Sequence, residues 1–191
     1  MTTLKVGDIM ASSAPYGDSS ELLDIEKFKQ VLHYVIHKTS SIDNVGKTVL
    51  YKILYFTDFN YYEMFEEKLT GETYLKYPFG PAPRDFDAVV NKLVEERLIE
   101  EKTWFEGAYK KIKYLSTVEP NTSKIAKEEL NFIDENIDKY SRFNAKQISE
   151  HSHEDIPYIT AEDFEELDYE LVFYRDSELS VRTYDDIGGG C

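Results

Sequence analysis

Three groups of residues in this chain have the types that chemistry needs. Gly46-Lys47-Thr48 copies the end of a phosphate-binding loop, where a glycine-rich backbone cradles phosphates beneath a lysine. The full spacing demands glycine at position 41, where Ser41 stands, and a preceding strand, where the pattern reads helix. Nucleotide binding is therefore not expected there. His151 and His153, flanked by Glu150, Glu154 and Asp155, offer ligands suited to zinc or a first-row metal. A spacing of two does not put them on one helix face, and no Cys pair or His-Glu-x-x-His helix supports them. Capping or a buried hydrogen bond explains them better, so neither a metal nor another cofactor is expected. Carboxylates are plentiful, but no spacing singles out a pair for acid-base work, no Gly-x-Ser-x-Gly elbow is present, and the lone Cys191 follows three glycines. The chain reads as a non-enzyme.

The third group is aromatic. Tyr51, Tyr55, Phe56, Phe59, Tyr61, Tyr62, Tyr74, Tyr77 and Phe79 are mostly core by default, because large rings at helical and strand spacing bury area. Tyrosines at 51, 55, 61 and 62 nevertheless surround much of one helix, and interfaces favour Tyr inside a polar rim. A subset, Tyr55, Tyr62 and Tyr74, is expected to line a groove or contact patch, with Asp58, Lys76 and Arg84 at its edge.

Composition narrows what such a patch would meet. The 191 residues carry a formal net charge of -15, which opposes generic binding to phosphate backbones. Between Glu150 and Asp186 thirteen acids face only two bases, Arg175 and Arg182. That run reads either as a solvated face or as a docking surface for a basic partner. No stretch is apolar enough to span a bilayer and the first twenty residues lack the zones of a secretion signal, so a cytoplasmic protein with no membrane partner is expected.

The elements that must position these residues follow from periodicity. Met1 to Ser20 has no sustained period and reads as a flexible leader, residues 187–191 as a flexible Gly-rich tail, and residues 21–186 as a single domain. Asp24 can cap a helix over about Ile25 to Lys38, where Phe28, Val31, Leu32, Val35 and Ile36 form one stripe. Val49, Leu50, Ile53, Leu54 and Phe56 start a second helix, apolar on more than one stripe and so central, that runs to about Glu66. Gly71 supplies a turn and Thr73 to Tyr77 a short strand; prolines 78, 81 and 83 exclude helix or inner strand.

Asp85 then reads as the N-cap of a helix carrying Phe86, Val89, Val90, Leu93 and Val94, and Glu106-Gly107-Ala108 as the tip of a hairpin over Lys102 to Ser116. Further helices are expected over about Thr122 to Tyr140 and Ala145 to Glu150, the latter opened by an Asn144/Gln147 capping box. Pro157 ends that region, and the alternation of Tyr169, Leu171 and Phe173 predicts a closing strand. The fold class is α+β and mostly helical, with a winged-helix-like core of helices, short strand and β-hairpin, followed by C-terminal helices.

One stretch carries more than periodicity. The order of aromatic helix, Leu69-Thr70-Gly71-Glu72-Thr73-Tyr74, and then Tyr77-Pro78-Phe79-Gly80-Pro81-Ala82-Pro83 resembles the Panacea domain, the SocA-like family of phage-associated proteins and bacterial antitoxins. His151-Ser152-His153-Glu154-Asp155-Ile156-Pro157-Tyr158 resembles that family's Ser-His-x-x-x-Pro-aromatic segment, and the likeness runs from about Asp24 to Asp176. Ala82-Pro83 and Tyr158 stand where the pattern often has other residues, tryptophan in the case of Tyr158. The resemblance implies structural roles for Gly71, Gly80, Pro81, Ser152, His153 and Pro157, with His153 holding a short helix against the Gly-Pro corner. It also implies an antitoxin that neutralises a toxin by direct contact, in some relatives as an adaptor that delivers the toxin to a protease. An acidic chain fits a basic toxin. The alternative is a transcriptional regulator that sets the helix beginning at Phe86 into DNA, although Asp85, Asp87, Glu95 and Glu96 would meet phosphate unfavourably.

Overall fold

The central element is α2 (Lys47–Phe65), which buries residues all around its circumference, as its lack of a single apolar stripe requires. A computed structural model describes residues 23–182; the expected leader and tail, and the outer limits of the expected domain, lie outside them. Helix α1 (Ile25–Thr39) is capped by Asp24, whose carboxylate accepts the amide hydrogens of Glu26 and Lys27. It lays Phe28, Val31, Leu32, Val35 and Ile36 into the core, the stripe read from the sequence.

After the Gly71 turn, where φ is +73°, β1 (Tyr74–Tyr77) pairs antiparallel with β2 (Gly80–Pro83), a strand not expected from the sequence. The prolines are tolerated because the Arg84 amide bonds to the Thr73 carbonyl. With a period of two, Pro81 and Pro83 then turn their missing N–H groups away from β1, the arrangement of an edge strand. Helix α3 (Phe86–Glu95) follows. Asp85 precedes it but makes no side-chain cap; its own amide bonds to Glu72 and its carboxylate lies 3.6 Å from Arg84. Strands β3 (Ile99–Glu106) and β4 (Tyr109–Ser116) form a second hairpin, separate from the first. The chain is α+β and mostly helical, with helices, short strands and a hairpin in the expected order.

Helix α4 (Lys127–Tyr140) begins later than expected, because the Ser123 and Lys124 amides bond to the side chains of Asn121 and Gln30 instead of entering a helix. Helix α5 (Ala145–His153) opens with the Asn144/Gln147 capping box. Pro157 does not end the helical region; it sits in the first turn of α6 (Ile156–Thr160), where a missing N–H costs no helical bond.

The closing strand is a correction. Tyr169–Tyr174 is a 3-10 helix, opened by the Asp168 carboxylate on the Glu170 amide. Burial recurs at Tyr169, Val172 and Arg175, a period of three that the apparent alternation concealed. The extended piece lies just before it, where residues 164–167 run along the free side of β1 through the Phe164, Lys76 and Leu167 amides.

Candidate functional site

Two polar clusters organise the interior, and both involve α2. In the first, the Arg175 guanidinium grips Asp155 with two bonds, Nε to Oδ1 at 2.8 Å and Nη2 to Oδ2 at 2.6 Å. Its remaining Nη1 reaches Asn60 and Glu63, each at 2.8 Å. Tyr55 donates to Asp155, while Asn60 continues the network to Asn136 and Tyr140. Burial alone would lower the Arg175 pKa, but the Asp155 and Glu63 carboxylates raise it overall. In the second cluster, Asp58 accepts from the hydroxyls of Thr70 and Tyr74, tying α2 to the turn and to β1. Among the described residues no cation lies at hydrogen-bond distance from it, and burial pushes its carboxyl up to about 6.

These clusters relocate part of the expected contact patch. Tyr55, Asp58 and Tyr74 are 0%, 2% and 0% exposed, so they stand behind the surface and shape it from within. Their hydroxyl and carboxyl groups find partners only in the interior, which is why the rings turned inward. Tyr62 is half-buried and donates to Glu170. Lys76 donates to the Ala161 carbonyl at 2.8 Å over the Tyr158 ring, and exposed Arg84 pairs with Glu166 at 2.7 Å.

The Gly-Pro corner is where α5, α2 and β2 meet. Gly80 has φ +94°, and a Cβ there would lie 2.7 Å from Lys52 Cε and closer still to Ser152 Oγ. Only glycine lets the three elements approach so closely. Ser149 donates to the Phe79 carbonyl and so ties α5 to the corner, while Ser152 turns its hydroxyl back to the Ser149 carbonyl within the helix. His153 acts through its neighbour, stacking on Tyr158 at 4.7 Å while the Tyr158 hydroxyl holds the Tyr77 carbonyl. Lys52 is 1% exposed, and burial pulls its ammonium down to about 7. His151 stacks on Phe143 at 5.5 Å instead of joining a metal cluster, and none is found among the described residues.

Outside the corner, Tyr77, Phe79, Ile159 and Phe164 expose apolar surface. Tyr77 and Phe164 meet edge to face at 5.6 Å, and exposed Glu154, Glu162, Asp163 and Glu165 are their neighbours along the chain. Exposed aromatic side chains beside charged residues are a composition that protein interfaces favour. Sequence reading put Tyr77 and Phe79 in the mostly core cluster and did not single out Ile159 or Phe164. A usable signal was the crowding of aromatics between turn-forming glycines and prolines. Around α3, Lys92, Lys47 and Lys29 are engaged by Glu26, Asp87 and Glu96, and Glu95 is exposed, so these lysines are not a free basic face for phosphate. Among the described residues no helix is long and apolar enough to cross a membrane.

Comparison with known proteins adds one finding. The family described as antitoxin SocA-like, Panacea domain, matches residues 50–157, more than half of the 191. No curated protein and no solved structure matches the chain.

Proposed function

The chain belongs to the antitoxin SocA-like, Panacea domain family, and on that premise we propose that it neutralises a cognate toxin protein by binding it directly, without catalysis. The observation that carries this reading is the family match, which spans α2, the Gly-Pro corner and α5. The corner supplies a surface to bind with. Tyr77, Phe79, Ile159 and Phe164 would provide most of the affinity on desolvation, with Tyr62, Lys76 and Arg84 as further contacts. The acidic margin would speed association with a basic toxin and orient it. In this reading the complex is cytoplasmic, and the bound toxin can also be handed to a protease.

Co-expression with the product of the adjacent gene tests the reading directly. A stable complex on pull-down, together with rescue of growth from that product, is the expected result. Free protein and no rescue would overturn it. Toxin levels that fall only when this chain and a protease are both present would add the adaptor role.

A further inference from the structure

A cleft of about 520 Å³ opens between the Gly71 turn and the start of the 3-10 helix, within the size range of ligand sites. Glu72 lines it while being 0% exposed. Its Oε1 accepts the amides of Thr73 and Asp85 at 2.7 and 3.4 Å, but among the described residues its Oε2 has no hydrogen-bond partner. A buried carboxylate oxygen without a donor is costly and calls for an explanation. We propose that this cleft receives a cationic side chain, an arginine or lysine, from the protein partner.

Three observations converge on a cation. Glu166, Asp168 and Glu170 are exposed along the cleft, so with Glu72 four carboxylates face two resident cations, Lys68 and Arg84. Arg84 is engaged by Glu166 at 2.7 Å and lies 3.6 Å from Asp85. The aromatic wall already attracts positive charge, since Lys68 Nζ lies 5.0 Å above the Tyr169 ring. A guanidinium offers several donors in one plane and so can satisfy Glu72 Oε2 and a second carboxylate together. Burial holds the Glu72 carboxyl up at about 7, and an arriving cation would favour its ionised form.

The position suits a protein side chain. The cleft begins at Thr73 and the apolar patch at Tyr77, roughly 13 Å apart at strand spacing. One extended segment of a partner can place an aromatic or aliphatic residue on the patch and a basic one in the cleft. The identity of that partner rests on the antitoxin reading; the chemistry of the cleft does not.

The test begins with the full chain and Nα-acetyl-arginine amide, followed by amide chemical shifts, with Nα-acetyl-citrulline amide as the neutral isostere. The expected result is saturable shifts confined to Gly71–Thr73 and Leu167–Glu170, about tenfold weaker with citrulline and abolished in Glu72→Gln. Glu72→Gln keeps an acceptor for Thr73 and Asp85; should it fail to fold, Glu170→Gln at the exposed margin takes its place, with weakened binding expected. No saturable shift, or equal shifts with citrulline, overturns the proposal. In the partner complex, Glu72→Gln should raise Kd about tenfold, and an unchanged Kd overturns the assignment of the cleft to a partner side chain. Growth rescue by the unaltered chain reports on the antitoxin reading alone, so the two ideas fail separately.

Discussion

Arg175 and Asp155 form a two-bond ion pair in which both side chains are essentially inaccessible to water. Asp155 precedes α6 and Arg175 follows the 3-10 helix, while Glu63 completes the site from α2. Two carboxylates around one guanidinium leave a buried cluster whose parts need each other.

Removing the cation alone should therefore be severe. Arg175→Ala is expected to cost about 3–5 kcal/mol, because it strands two buried carboxylates. Urea unfolding measures this, and a loss under about 1 kcal/mol would show that the cluster is dispensable.

Gly80→Ala tests the close approach at the corner. The left-handed backbone and the contacts with Lys52 and Ser152 together predict a loss of about 2 kcal/mol or more. Gly107, with φ +61° but nothing within 4 Å of an added Cβ, is the control and should lose only the backbone part, about 1 kcal/mol. Equal losses at the two glycines would refute the packing argument.

Stability should bend twice with pH. Burial raises Asp58 to about 6 and Glu72 to about 7 from ordinary values of 3.8 and 4.5. Between those values the native chain keeps protons that the unfolded chain has released, so stability from these groups is present at low pH and is lost as pH rises to about 7. Lys52 is lowered to about 7 from 10.5, so its charged form is penalised below that range and stability returns as pH climbs from about 7 to 10.5. His33, His151 and His153 are also lowered by burial and act in the acid range in the opposite sense to the carboxylates. Variant-minus-parent curves separate them: Glu72→Gln and Asp58→Asn should remove the fall below pH 7, and Lys52→Met the rise above it. A difference curve that is flat in its window would contradict the assignment of that group.

The proposed contact patch predicts a separation of binding from folding. Phe79 is 75% exposed, so Phe79→Ala should leave Tm within a degree or two while weakening the partner complex about tenfold or more. Calorimetry of the free chain beside titration of the complex provides both readouts. Unchanged affinity at Phe79, Tyr77 and Phe164 alike would move the interface elsewhere.

Local pattern made the helices legible. The three- and four-residue steps of Phe28, Val31, Leu32 and Val35, and the Asn144/Gln147 box, are written in adjacent residues and needed no tertiary knowledge. Distance hid the rest. Asp155 and Arg175 are twenty residues apart and Arg175 meets Glu63 across 112, so nothing local announced the cluster. A hint lay in composition, since Arg175 is one of two bases among thirteen acids. Tyr169 to Tyr174 misled because alternating apolar letters fit a strand, whereas the side chains were selected by a threefold burial period. Tyr55 and Tyr74 misled in the other direction, since their hydroxyls are satisfied by Asp155 and Asp58 rather than by solvent or a partner.

The Arg175 cluster also sets an order of events during synthesis. Glu63 and Asp155 leave the ribosome before the cation that neutralises them, so the emerging α2 cannot bury its polar side until residue 175 has been made. Until then the aromatic faces of α2 remain open to water and to holdase chaperones. The native burial of this polar side is thus a late event, completed only once the segment carrying Arg175 is available.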